Sequence, residues 1–333
     1  MANRGVTVRA VLARAEAFGL ALELLSGGDG LDGNVSSPHL QKTGLALAGF
    51  HEYLQPGRIL LFGQSEIRYL ESLDSDARIR TLRRAFTRSV PCLVLTGGFA
   101  PPPELLVESE RASVPVVLTP LGTPAAIAKM TAALDDILAE RTTIHAVLMD
   151  ILGLGVLITG ESGIGKSECA LDLVARGHRL VADDTVEIRR RFETILIGTC
   201  PELTRNHMEI RGLGLINVRD LFGVASVRSS KRVELVVRLE RWEAGREYER
   251  LGIDESFYEI LGLRVPLVTM PVAPGRNVSI VVEVAARNQL LRARGHHAAR
   301  RFAARLDREI RDSAEDEDPD RDADAAAGAG ESS

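Results

Sequence analysis

Apolar and polar positions divide the chain into two successive stretches in which strand-like runs alternate with helix-period segments. In residues 1 to about 130, short apolar runs such as Arg58-Ile-Leu-Leu-Phe62 and Pro91-Cys-Leu-Val-Leu95 are separated by Gly, Pro and Ser breakers, the pattern of brief buried strands. This predicts an N-terminal α/β domain, residues 1–135, with no recognisable chemistry of its own. The polar, helix-prone segment Thr131 to Thr143 reads as a connector. A second domain, residues 136–311, then takes shape near Ile144, with its first strand expected from Gly153 to Ile158. Further on, Ala299, Phe302, Leu306 and Ile310 recur at three-to-four spacing, which predicts an amphipathic helix within Ala285 to Arg311. Eight arginines decorate that segment and read as a solvated face in preference to a docking surface.

Charge changes this picture mainly at the C-terminal end. The formal net charge is -5, yet residues 312–333 alone hold nine acidic residues and one arginine. Such a segment buries too little apolar surface to offset its ordering, so an acidic disordered tail is expected there. The remaining chain is close to balance, without the clustered basic excess of a nucleic-acid binder. Its longest apolar run, Ile151 to Gly160, is about half of what spans a bilayer, so no membrane segment is expected. Ala17 to Leu22, bounded by Glu16 and Glu23, is too short and too flanked by charge for a signal-peptide core. Cys92, Cys169 and Cys200 form neither a CxxC pair nor a metal-ligand spacing, which fits a reducing cytoplasm.

The chemistry lies in Gly160-Glu161-Ser162-Gly163-Ile164-Gly165-Lys166-Ser167, which satisfies G-x-x-x-x-G-K-[ST] between a predicted strand and a predicted helix. Its glycines let backbone N–H groups turn toward phosphate oxygens, and the helix N-terminus adds partial positive charge. Lys166 supplies a point charge to the β and γ phosphates, and the Ser167 hydroxyl can ligate Mg²⁺. Cys169, Ala170, Leu173 and Val174 form one apolar face of that helix, so Cys169 reads as core, and Gly177 as a left-handed cap. The next strand, Arg179 to Ala182, delivers Asp183 and Asp184 to its C-terminal end, where α/β sheets place ligand groups. One carboxylate there can serve magnesium, and a second can act as a base toward an incoming hydroxyl.

Taken together, His145, the 160–168 loop, Val181-Ala-Asp-Asp184, Met208-Glu-Ile-Arg-Gly-Leu-Gly-Leu-Ile-Asn-Val218 and Pro271-Val-Ala-Pro-Gly-Arg-Asn277 resemble the bifunctional HPr kinase/phosphorylase family. Gly44 to Gly49 and Leu61 to Glu66 extend the resemblance into the first domain, so it spans about residues 1–295. It implies a P-loop catalytic domain related to phosphoenolpyruvate carboxykinase and a homo-hexamer. It also implies transfer of a phosphoryl group from ATP or pyrophosphate to a serine of the phosphocarrier protein HPr, and the reverse attack of inorganic phosphate on phosphoserine to give pyrophosphate. On the same ground Glu209 joins Ser167 at magnesium, and Asp184 is base in one direction and acid in the other. His145 and Arg250 accompany Lys166 as active-site residues, and Pro271, Val272, Ala273, Pro274, Gly275 and Arg276 form a loop serving dephosphorylation. Read alone, Gly212-Leu-Gly214 would hint at a dinucleotide fingerprint, but Asn217 takes the last glycine position and no clear strand precedes it.

Three positions depart from the family pattern: Ala273 where Lys or Arg is usual, Arg287-Asn-Gln-Leu290 for Met-Asn-Phe-Arg, and Ala146 after the histidine. A P-loop kinase of a small-molecule hydroxyl and a nucleotide-sensing binding module are the alternatives to a protein kinase, and a base at Asp184 disfavours the sensor.

Overall fold

The computed structural model describes residues 5–316, apart from 51, 53, 87–89, 244, 246–254, 274 and 276, with side chains through 309. Two units, Met1–Glu140 and Arg141–Ser333, separate by their internal contacts, a few residues beyond the expected boundary at 135. The segment read as a helix-prone connector holds the end of a helix, Thr123–Leu138, then the boundary between the units and the start of a strand at Arg141. Its buried Met130, Ala133 and Leu134 give the helix an inward face that its polar composition concealed.

The first unit carries a five-stranded sheet in the order Glu23–Ser26, Val116–Leu118, Leu93–Leu95, Leu60–Phe62 and Gln41–Lys42. The last four run parallel, and the first is antiparallel to its neighbour. The two runs singled out in the sequence supply its central strands, apolar on both faces as a covered parallel sheet requires.

The second unit contains strands β1 (Arg141–His145), β2 (Val147–Ile151) and β3 (Leu154–Gly160), helix α1 (Lys166–Ala175), and strands β4 (Arg179–Ala182), β5 (Thr185–Arg191) and β6 (Ile195–Thr199). There follow β7 (His207–Ile210), β8 (Gly214–Asn217), α2 (Val218–Phe222), β9 (Ser230–Arg232), β10 (Leu235–Arg241), β11 (Ser256–Ile260), β12 (Leu263–Val272), α3 (Val278–Ala293) and α4 (Ala298–Asp316). A six-stranded mixed sheet has the order β4-β2-β3-β10-β12-β11, with β3, β10 and β12 parallel. A four-stranded antiparallel sheet, β9-β6-β5-β1, covers one face of it.

Alternation along β3 explains the layering. Val156 and Ile158 join the core under α1 and α3, whereas Leu157 joins the core between the sheets with Leu148, Val186 and Val236. Burying such a side chain is worth about 1.5–3 kcal/mol, so this doubly covered strand is a firm platform for the loop at its C-terminal end.

Three expectations change. The helix foreseen within 285–311 is two helices, broken at Arg294 to His297, where Gly295 adopts φ +83°. The α4 backbone continues to Asp316, past the expected start of the tail at 312, because alternating charges such as the Arg305–Glu309 pair suit a solvated helix. Its stripe stays at the surface, with Phe302 61% and Leu306 44% exposed. A strand, β7, does precede Gly212, but it turns back into β8 as a hairpin, which is not the βαβ context of a dinucleotide site.

Candidate active site

The C-terminal ends of β4, β3, β10 and β12 lie at one edge of the six-stranded sheet, the edge where open α/β sheets bind ligands. From β3 the chain enters the glycine-rich loop, in which Gly160, Gly163 and Gly165 have φ of +145°, +80° and +100°. That conformation is open to glycine and strained for other residues. The loop feeds directly into α1, whose buried face is Cys169, Ala170, Leu173 and Val174. Burial pushes the Cys169 thiol up to about 12, with the Asp172 charge adding to the effect, so it is core as expected. Gly177, at φ +90°, closes the helix with its N–H on Val174 O, as read from the sequence.

Within the cradle, Lys166 Nζ donates to the carbonyls of Gly160 and Glu161, both at 3.0 Å, so the ammonium spans the loop mouth. Ser167 Oγ donates to the Asp183 carboxylate, 2.9 Å from Oδ1 and 3.1 Å from Oδ2. Asp183 is 4% exposed, and burial raises its carboxyl above the ordinary value. The Ser167 hydroxyl and the backbone of Glu209 and Asp184 oppose that shift by hydrogen bonding to the carboxylate.

Asp184 faces the other way. Here the chain passes from β4 in one sheet to β5 in the other, with Asp184 at φ +63° and its side chain 80% exposed. A non-glycine residue in this region is uncommon and is held by its surroundings. The amide of Ala146 donates to Asp184 O, and His145 Nδ1 lies 3.3 Å from that oxygen and 3.8 Å from Asp184 Oδ1. The adjacent carboxylates are thus divided: Asp183 buried against Ser167, Asp184 open beside His145.

Glu209 is placed by the β7–β8 hairpin. Met208 points into the core at 1% exposure, so strand alternation sends the Glu209 side chain outward, while the Glu209 backbone hydrogen-bonds the Asp183 carboxylate. Just past β7, Arg211 lies against the loop: a Cβ built on Gly163 would fall 2.9 Å from its guanidinium nitrogens. The sequence assigns Arg211 no role, and it names Asp184 as the base without saying which of the two aspartates is buried. No local pattern signals Arg211, a turn residue after the strand whose contact with the loop joins distant parts of the chain.

A cavity flanks the loop between Gly160 and the end of β10. It is lined by Ile144, His145, Arg238 and Tyr258 among others, with Arg238 5.5 Å from the Tyr258 ring centroid. Arg241 Nε stands 3.5 Å from Glu161 Oε2 at its rim. Arg250, Pro274 and Arg276 lie outside the described residues, while Pro271 and Val272 end β12 and Val272 pairs with Arg241.

The donor set suits a hard cation. Ser167, Asp183 and Glu209 offer oxygens only, as magnesium prefers. Among the described residues no group of three or more His, Cys, Asp or Glu is placed to hold a metal ion. A magnesium ion that keeps waters and phosphate oxygens as its other ligands needs no such cage.

A strand, a glycine-rich loop, a helix carrying Lys166 and Ser167, and a buried aspartate on that serine define the class: a P-loop phosphate-binding protein with an open carboxylate at the mouth. Two family patterns divide the chain between them, the HPr Serine kinase N terminus over residues 6–134 and the HPr Serine kinase C-terminal domain over 136–306. The HPr kinase/phosphorylase of Geobacter sulfurreducens is 45% identical over 289 residues, 87% of this chain and 91% of that protein. That of Geobacillus kaustophilus is 45% identical over 295 residues, 89% of this chain and 95% of the relative. A solved structure of the Hpr(Ser) kinase/phosphatase from Coxiella burnetii aligns with a TM-score of 0.44 at 37% identity, covering 48% of this chain and 98% of that one. The chain belongs to the HPr kinase/phosphorylase family, a family of phosphotransferase enzymes.

Proposed function

We propose that this enzyme phosphorylates a serine of the phosphocarrier protein HPr, using ATP or pyrophosphate with Mg²⁺, and removes that phosphate by phosphorolysis, in carbon catabolite regulation. The observation that carries the reading is the division of labour between Asp183 and Asp184. A buried carboxylate already bonded to Ser167 is suited to the cation side of the phosphates, and an exposed one beside His145 can reach a hydroxyl on another protein.

Ser167, Asp183 and Glu209 would hold magnesium, which, when bound, neutralises charge on the donor phosphates. The loop amides grip those phosphates, and Lys166 exchanges its two carbonyl partners for phosphoryl oxygens. In the forward direction Asp184 accepts the serine proton as the serine oxygen forms its bond to phosphorus and the bond to the leaving phosphate breaks. In reverse, an oxygen of inorganic phosphate attacks the phosphoserine, the bond from phosphorus to the serine oxygen breaks, and protonated Asp184 returns the proton to it. His145, within 3.8 Å of Asp184, steadies that carboxylate. Arg250 shares the charge of the transferring group, and the loop from Pro271 to Arg276 receives inorganic phosphate. A cytoplasmic homo-hexamer is the assembly that the resemblance implies, and sedimentation tests it. No helix among the described residues is long and apolar enough to cross a membrane.

Incubation of the full chain with ATP, magnesium and purified HPr, followed by mass spectrometry of HPr, tests the forward reaction. One added phosphate on a serine is expected. Phosphate transfer to a small hydroxyl compound with HPr left unmodified would overturn the acceptor assignment.

A further inference from the structure

The five-stranded sheet of the first unit ends on the short strand Gln41–Lys42, and a cavity of about 360 Å³ opens beside it. Pockets for small molecules run from roughly 300 to 1,000 Å³. The floor is apolar: Leu40, Leu61 and Ile127 line it and belong to one cluster of the unit's core. The polar lining is two cations, Lys42 and Arg58, and two amides, Gln41 and Gln55, and among the described residues no carboxylate lines it.

A braced turn places these groups. Gln41, only 3% exposed, turns its Oε1 to the amide of Gln55, which donates at 3.0 Å. Two residues on, Gly57 has φ +73°, and its carbonyl accepts from the Ser36 amide at 3.0 Å. A side chain at that position would run into Ser36 Oγ, so the turn requires glycine. Held at both points, the turn delivers Arg58 to the cavity, while Lys42 pairs in register with Leu61 of the floor. Among the described residues neither cation has a carboxylate partner. A pocket with two cations and no counter-charge favours an anion, and a guanidinium offers a planar fork to two oxygens of one carboxylate or phosphate.

We infer that this cavity binds a small organic anion, a carboxylate or a phosphate monoester with a short apolar body. Arg58 and Lys42 take the charged end, and Leu40, Leu61 and Ile127 cover the apolar part. The site lies wholly within the first unit, in which phosphoryl transfer uses no residue, so it stands or falls apart from the proposed function.

Butyl phosphate and butyrate are the probes, 1-butanol is the uncharged control, and amide hydrogen exchange of the full chain reads where each binds. For a dissociation constant of about 1 mM, about 10 mM probe slows exchange through the site by roughly tenfold. That slowing is expected in 38–42 and 55–62 with the anions and not with butanol. Arg58→Gln should abolish it, and Lys42→Gln, at an exposed position, should weaken it several-fold. Slowing in 160–167 by butyl phosphate reports occupancy of the phosphate loop and should persist in both variants. Slowing in 38–42 and 55–62 by one anion alone tells which charged end the site takes, and supports the inference. Should Arg58→Gln disturb the fold, seen as faster exchange without probe, Lys42→Gln decides by itself. No slowing there with either anion, slowing that butanol reproduces, or slowing that survives the substitutions overturns the inference.

Discussion

Asp183 keeps a carboxylate at 4% exposure, and its charged form is disfavoured there by burial even though the Ser167 hydroxyl and two backbone groups support it. The effect on stability has a definite sign by linkage. A carboxyl raised in the folded state carries no penalty below its ordinary value near 3.8; the penalty grows as pH climbs to the raised value and persists above it. Asp183→Asn keeps an oxygen for Ser167 and removes the charge. The variant should therefore melt higher than the unmodified protein at neutral pH, should lose that advantage below about pH 3.8, and should bind magnesium–nucleotide poorly. Calorimetry across pH checks this, and a lower melting temperature at neutral pH would mean that the charge stabilises the fold. Asp184 should behave in the opposite manner. At 80% side-chain exposure its replacement has little effect on stability, and Asp184→Asn should slow transfer by about 10² to 10⁴, the usual worth of a general base. Nucleotide affinity, measured by calorimetric titration, should be nearly unchanged; a variant that lost affinity with its rate would place Asp184 at the nucleotide. The Asp-Asp pair itself was legible in the sequence. Which member would be buried was not, because that is decided by the passage between two sheets at Asp184, whose φ of +63° no local pattern announces.

At the scale of elements, the strand, loop and helix from Leu154 to Ala175 could be read directly, since the apolar run, the glycines and the apolar face of α1 are all local in sequence. Arg211 could not, because its place against Gly163 depends on how the β7–β8 hairpin folds over the loop, a contact between segments 48 residues apart in the chain. The same holds for Gly155. Its backbone passes so close to β9 that an added Cβ would meet Arg232 O, and its amide and carbonyl bond with Glu234 at 2.9 Å. Gly155→Ala must push β9 away from β3 and so part the four-stranded sheet from the six-stranded one. A loss of roughly 1–3 kcal/mol, as for overpacked cores, should appear in denaturant unfolding, with the kinase rate kept at low temperature because Gly155 lies at the end of β3 opposite the phosphate loop. Unaltered stability would show that the two sheets yield freely there.

For the whole molecule, the rhythm of apolar runs led to an expected boundary at 135, and the contacts divide the chain between Glu140 and Arg141. That boundary lies within the segment read as a connector, whose first part is the end of a helix that buries Ala133, Leu134, Asp135 and Ile137. Residues 317–333 contain six acidic residues and one arginine, a net charge equal to the whole chain's -5, so cutting after Asp316 leaves a formal charge of zero. The truncated protein should keep its melting temperature and turnover and become less soluble near neutral pH, where self-repulsion is lost. A marked drop in melting temperature on truncation would show that the tail contributes to the fold. The central claim is that one open carboxylate serves transfer in both directions, with phosphate and not water as the attacking group in reverse. It is tested most directly by giving the enzyme HPr labelled on its phosphoserine together with unlabelled inorganic phosphate. The account predicts that the label leaves as pyrophosphate, and at a rate that falls together with the kinase rate in Asp184→Asn. Label released as free phosphate, or a reverse rate indifferent to Asp184, would contradict it.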